Sequence, residues 1–201
     1  MSADGTAKAA QLYNSRFEQF GRDIRTVGWG SAADQRLRFE VLLRGFDPTG
    51  KTVLDVGCGL GDLVPFLEVR CGGNFRYLGI DVAERLVADA RIAHSRPGRQ
   101  FLAGDLFSLD LPHADLVLLS GALSLKSEGI EDYARRTLER MFSLSREAAC
   151  LNFLSKYVDF ELEKNQHYQP ETVFGWARQV ARKVNLIHDY PLYEFTVQLV
   201  R

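Results

Sequence analysis

Five short β-rich runs, Thr52 to Val56, Phe75 to Ile80, Gln100 to Ala103, Asp115 to Leu119 and Ala148 to Leu154, are spaced along the chain with helical stretches among them. Leu63 to Val69, Ala83 to His94 and Ile130 to Leu144 lie between these runs, and Gln169 to Arg182 follows the fifth. Alternation of this kind sets strands side by side in parallel, joined by right-handed crossovers, in a doubly wound sheet. The last two runs depart from it. Asn185 to Asp189 and Tyr193 to Val200 are separated only by Tyr190, Pro191 and Leu192, too few residues for a crossover helix, so they form an antiparallel hairpin. The expected fold class is α/β: a three-layer doubly wound sheet of seven strands, mostly parallel, with a C-terminal antiparallel hairpin and N-terminal helices.

Those helices precede the first strand. Within Thr6 to Phe20 the spacing of Leu12, Tyr13, Phe17 and Phe20 predicts one helical face. Gly28-Trp29-Gly30 interrupts it, and Ser31 caps a second helix with apolar positions at Leu37, Val41 and Leu42, which Asp47-Pro48-Thr49-Gly50 ends as a turn. A chain of 201 residues suits one compact domain, with 1–47 as a helical lid and 50–201 as the core. With 46% hydrophobic and 25% charged residues, disorder and fibrous architectures are excluded. The 25 basic residues nearly balance the 26 acidic ones, giving a formal charge of -1 and no field to gather phosphate backbones, so nucleic acid is a disfavoured partner. Met1 to Gln11 lacks the apolar core of a secretion signal, and Ala114 to Leu125 falls well short of the roughly 20 apolar residues a membrane helix needs. Cys58, Cys71 and Cys150 match neither a disulfide framework nor zinc spacing, which points to reduced thiols and a cytoplasmic location. Oligomers are compatible with the sequence but not specified by it.

The strongest local signal is Val53-Leu54-Asp55-Val56-Gly57-Cys58-Gly59-Leu60-Gly61-Asp62-Leu63, a strand that passes through a glycine-rich turn into a helix. Glycine tolerates positive φ and lets backbone N–H groups approach a ligand at a helix N-terminus. The dinucleotide fingerprint wants glycine at its first, third and sixth positions, but counting from Gly57 the sixth is Asp62, whose carboxylate would oppose a pyrophosphate. The loop, with Asp55 at the strand end, instead resembles the first motif of the class I S-adenosylmethionine-dependent methyltransferases, a Rossmann-like family whose cofactor carries an ammonium and no phosphate. Tyr77-Leu78-Gly79-Ile80-Asp81 puts a carboxylate after the second strand, where two oxygens can accept both ribose hydroxyls, and Phe101-Leu102-Ala103-Gly104-Asp105-Leu106 puts another after the third. Ala114-Asp115-Leu116-Val117-Leu118-Leu119-Ser120 is similar to the family's fourth motif, where the strand ends under the reacting methyl group. The resemblance covers roughly residues 50–201. It implies S-adenosylmethionine as cofactor, with Asp55, Gly57, Gly59, Gly61, Asp81 and Asp105 as contacts, joined by their neighbours Cys58, Val82, Leu106 and Ser120. Singly, each glycine could serve only a tight turn, Asp81 and Asp105 could be helix caps, and Asp62 could be a favourable first-turn charge.

Methyl transfer from a sulfonium is an in-line displacement, helped mainly by alignment in a dry pocket and, for protonated nucleophiles, by a general base. The segment Ser120-Gly121-Ala122-Leu123 lacks the Asn/Asp-Pro-Pro-aromatic pattern of amino-directed family members, the carboxylate of metal-dependent ones and a nearby nucleophilic cysteine. Metal-independent transfer to a small-molecule acceptor is expected. In the lid, Tyr13 and Trp29 are candidates to cover the sulfonium and Arg38 to receive a carboxylate, or else all three are packing and surface residues. After the fifth strand, Asn152, Tyr157, His167 and Tyr168 lie where family members build an acceptor pocket. His167 is the best base by chemistry, with an exposed loop histidine as the plain alternative, and Tyr168 and Ser120 complete the catalytic candidates. His94 at a helix end and His188 inside a strand attract less weight. Three other functions stay open at this point: an RNA or protein methyltransferase, a non-catalytic cofactor-binding module, and a nicotinamide oxidoreductase.

Overall fold

The computed structural model describes residues 3–201; Met1 and Ser2, counted above with the lid and in the segment read for a secretion signal, lie outside the described residues. Two helices, α1 (Ala3–Phe20) and α2 (Ala32–Leu42), precede the sheet. The strands and helices that follow are β1 (Thr52–Val56), α3 (Leu63–Cys71), β2 (Arg76–Asp81), α4 (Glu84–His94), β3 (Arg99–Ala103), β4 (Ala114–Leu119), α5 (Ile130–Leu144), β5 (Ser145–Ser155), β6 (His167–Tyr168), α6 (Pro170–Val180), β7 (Lys183–Ile187) and β8 (Glu194–Val200). Strand order is β3-β2-β1-β4-β5-β8-β7, with β1 to β5 parallel and β8 antiparallel to both neighbours. The order reverses between β1 and β4, the place where an open α/β sheet leaves a crevice outside its strand ends.

Each face of the sheet is covered because its strands are apolar on both sides. Leu138 and Met141 of α5 and Val173 and Ala177 of α6 pack with Leu54, Val117 and Val197 on one face. Phe39 and Leu42 of α2, Leu63 and Leu67 of α3 and Val87 of α4 pack with Val53, Leu116 and Cys150 on the other. Local rules set the helix ends: the Ser31 hydroxyl accepts from Asp34 N–H at 3.0 Å, and Pro170 opens α6, where a missing N–H costs nothing.

The expected sheet is present with one strand more than the seven read from sequence. β5 runs eleven residues and overhangs β4, whose pairing stops at Leu151, so Leu154 and Ser155 leave an edge on that side that His167 and Tyr168 complete as β6. The closing hairpin is shifted two residues toward the N-terminus on its first strand, because α6 stops at Val180 rather than Arg182. His188, read above as lying inside a strand, falls just past β7 and stacks on Tyr157 with ring centroids 5.9 Å apart. Among the described residues no helix is long and apolar enough to cross a membrane, and all three cysteines are free thiols.

Candidate active site

The carboxyl ends of β1, β2, β3 and β4 open on one crevice of about 1040 Å³, including the space open to solvent at its mouth. Four aspartates line it, Asp55, Asp62, Asp81 and Asp105, and none of its lining residues is a lysine, arginine or histidine. Such a lining favours a positively charged ligand.

Each carboxylate is held by a partner the chain supplies. Asp55 and Tyr77 occupy the same face of adjacent strands, two residues apart in register, and the Tyr77 hydroxyl donates to Asp55 Oδ2 at 2.6 Å. Burial pushes the Asp55 carboxyl up to about 7, against the opposing effect of that hydrogen bond, with Asp81 and Asp62 adding repulsion. Asp81 accepts Gly59 N–H at 2.9 Å and Ala83 N–H at 2.8 Å, one on each oxygen, and burial raises its carboxyl as well. Asp105 accepts Phe107 N–H and the Tyr133 hydroxyl, both at 2.8 Å. Asp62 accepts from Gln35 of α2 at 2.9 Å, tying that helix to the glycine turn.

The turn itself needs glycine. Gly57 sits at φ +74°, and a Cβ there would lie 2.6 Å from the Ala122 Cβ in the loop after β4. Gly59 sits at φ +53°, with room for a Cβ closed by Val27 at 3.0 Å. The sulfur of Cys58 lies over Gly79, where a Cβ would come within 2.9 Å of it, and burial drives the Cys58 thiol well above its ordinary value. α1 and the linker to α2 roof the crevice: Tyr13 and Val27 pack on Leu60, Ala83 and Leu86, and Trp29 rests on Gly121 so closely that any Cβ at that position would collide with its ring.

Of the cofactor residues expected from sequence, Asp55, Gly57, Cys58, Gly59, Asp81, Val82, Asp105, Leu106, Ser120, Tyr13 and Trp29 line the crevice together. Gly61 does not. At φ +78° it lets α3 approach the sheet, since a Cβ there would meet His94 at 2.9 Å and Phe101 at 3.1 Å. Arg38 does not either, because its guanidinium is taken by Glu194 of β8. Among the catalytic candidates only Ser120 reaches the crevice, with its hydroxyl oxygen buried and unpartnered. His167, expected at an exposed loop or as a base, is buried in β6 with Nδ1 2.7 Å from the Ser155 carbonyl oxygen and Nε2 unpartnered. Tyr168 is buried beside it and donates to the Leu123 carbonyl at 3.0 Å. Pairing to the end of β5 buries both side chains, and Tyr168 joins the main core cluster. Gln35, Tyr133 and Thr137 also line the crevice and were missed by sequence reasoning. Tyr133 falls in the first turn of α5, immediately after the β4 loop, and that placement was the available signal.

Comparison with known proteins decides the family. Residues 53–147 match a family model described as a methyltransferase domain. The chain is 30% identical over 158 residues, 75% of its length and 92% of the other's, to Rv1506c of Mycobacterium tuberculosis (strain ATCC 25618 / H37Rv), a protein named as a methyltransferase. The chain belongs to the class I S-adenosylmethionine-dependent methyltransferases. The methyltransferase is also 29% identical over 146 residues, 71% of its length and 62% of the other's, to 2-phytyl-1,4-naphtoquinone methyltransferase of Thermosynechococcus vestitus (strain NIES-2133 / IAM M-273 / BP-1). Its fold is that of magnesium protoporphyrin IX methyltransferase from Synechocystis PCC 6803 with bound SAH, at a TM-score of 0.69 and 16% identity, covering 96% of this chain and 99% of that one.

Proposed function

We propose that this methyltransferase transfers the methyl group of S-adenosylmethionine to a small-molecule acceptor, as a single domain whose N-terminal helices act as a lid. The observation that carries the reading is the crevice itself, four carboxylates and no cation beneath a roof of Tyr13, Val27 and Trp29. A polymer presented from outside would have to displace that roof, and the near-neutral chain offers no charge to draw one in. Relatives that act on a naphthoquinone and on a magnesium porphyrin support an acceptor of small-molecule size.

The residues present fit the cofactor. Its ammonium finds Asp55 and Asp62, its ribose hydroxyls Asp81, and its adenine amine Asp105, while the glycine turn, with no side chains at Gly57 and Gly59, admits close approach of backbone to ligand. When bound, the cofactor supplies a methyl carbon on a sulfonium. The chain's own contribution is alignment and dryness. Tyr77, Gln35 and Tyr133 hold three of the aspartates in fixed directions, and Tyr13 and Trp29 exclude water. Ser120, with its buried free hydroxyl, is placed to hydrogen-bond the acceptor and orient its nucleophilic atom; His167 and Tyr168 act at most through the core. Incubation with labelled S-adenosylmethionine and, in parallel, a host metabolite extract and the host RNA and protein fractions tests the reading. A labelled small molecule is expected, whereas label found only in RNA or protein would replace it with the polymer alternative.

A further inference from the structure

Five residues close a ring at the end of the crevice where β4 emerges. Arg38 of α2 is 8% exposed, and its Nε donates to both oxygens of Glu194 at 2.8 and 2.7 Å while Nη2 donates to Oε1 at 2.5 Å. Glu194, 3% exposed, also accepts Asn152 Nδ2 of β5 at 3.2 Å. The Asn152 Oδ1, on a side chain 2% exposed, accepts the Gly121 N–H at 2.8 Å. Gly121 supports the Trp29 ring, and the Arg38 guanidinium lies over that same ring, 4.1 Å from its centroid. The circuit therefore runs Trp29, Arg38, Glu194, Asn152, Gly121 and back to Trp29.

A buried ion pair is weak support for stability, because desolvation consumes most of its attraction and apolar residues of equal size often do as well. Here the chain spends one on joining α2 to β8, and both ends of the circuit stand in the crevice wall. Trp29 and Gly121 each line the cofactor crevice, and with Asn152 and Glu194 they also line a smaller cleft behind it. Trp29 is thus the partition between the two spaces, and Ser120 is bonded directly to the glycine on which it rests.

We propose that Arg38, Glu194 and Asn152 are positioning residues that lock Trp29 and the Gly121 peptide, and so fix the wall against which the acceptor is presented. This rests on the small-acceptor reading only for its effect on turnover; the effect on Trp29 is independent of it. The circuit reaches the cofactor only through Trp29, since neither the aspartates nor the glycine turn belongs to it, so its loss acts mainly on acceptor geometry and weakly on cofactor affinity.

The chain has two tryptophans, so a Trp176→Phe background makes Trp29 the sole reporter. In it, Arg38→Met with Glu194→Leu replaces the pair by apolar side chains. The expected results are a folded protein, S-adenosylhomocysteine affinity within about threefold, acrylamide quenching of Trp29 raised by about twofold or more, and transfer into the metabolite extract lowered about tenfold or more, the scale of a small misplacement of reacting groups. Unchanged quenching overturns the lock, and raised quenching with unchanged transfer overturns its positioning role. Should the double variant not fold, Asn152→Ala leaves the Arg38–Glu194 pair in place while removing the acceptor of the Gly121 N–H and the Nδ2 donor to Glu194. Transfer is then expected to fall about fivefold or more with S-adenosylhomocysteine affinity within about threefold, and a wild-type rate overturns the proposal. A wild-type chain that binds S-adenosylhomocysteine but labels nothing in the extract counts against the acceptor reading, and quenching then decides the lock by itself.

Discussion

Asp55 lies between Tyr77 and the crevice with its carboxyl at about 7 when no cation faces it, chiefly because burial disfavours the charged form. A positively charged ligand needs the carboxylate, so S-adenosylmethionine should bind more tightly as pH rises from 6 to 8. Titration calorimetry across that range checks it, and Asp55→Asn should flatten the profile. The sign for stability is opposite. The folded value lies above the ordinary 3.8, so the protonated form favours the native state at low pH, and that contribution is lost as pH rises from near 4 to about 7. Asp55→Asn should therefore lose less thermal stability than the wild type between pH 5 and 8 in melts without ligand. Gly57 bears a steric demand instead. Gly57→Ala places a side chain at φ +74°, 2.6 Å from the Ala122 Cβ, so it should cost more than about 1 kcal/mol of stability. Loss of S-adenosylhomocysteine binding should accompany it, and Ala122→Gly should restore only the steric part, since the backbone strain persists.

At the scale of elements, α1 is held by a thin seam. Tyr13 and Phe17 pack on the small cluster of Leu60, Ala83 and Leu86, and in the linker to α2 Arg22 pairs with Asp89 at 2.5 Å. Helices with so few buried contacts open independently of the sheet. Phe17→Ala is expected to speed hydrogen exchange throughout α1 while β1 and β4 stay protected, and S-adenosylhomocysteine should slow α1 again in the wild type; equal acceleration in the sheet would contradict this. The elements were largely legible because periodicity and turn residues are local. Ser31 caps α2 and α5 spans Ile130–Leu144 as the apolar pattern predicts. The aspartates were legible too, since strand ends fix their place. What local patterns do not carry is partnership across the chain. Nothing beside Arg38 announces Glu194, 156 positions away, and nothing beside His167 shows that β5 overhangs far enough to bury it. Gln35 and Asp62 meet only once α2 lies over the glycine turn.

For the whole molecule, the crevice takes its four carboxylates from segments that come together only when β1 to β4 are assembled, so ligand binding and folding are linked. At 100 times its dissociation constant, S-adenosylhomocysteine should stabilise the protein by about 2.7 kcal/mol, visible as a raised melting temperature, while NADH should leave the melt unchanged. The Arg38–Glu194 pair bears on the order of assembly. β8 inserts between β5 and β7, and bringing together residues so far apart in sequence is entropically slow. The wall beside the aspartate-lined cradle is therefore complete only when β8, the far end of the sheet in sequence, has taken its place, and a change confined to that strand is felt at the mouth where the methyl group is handed over.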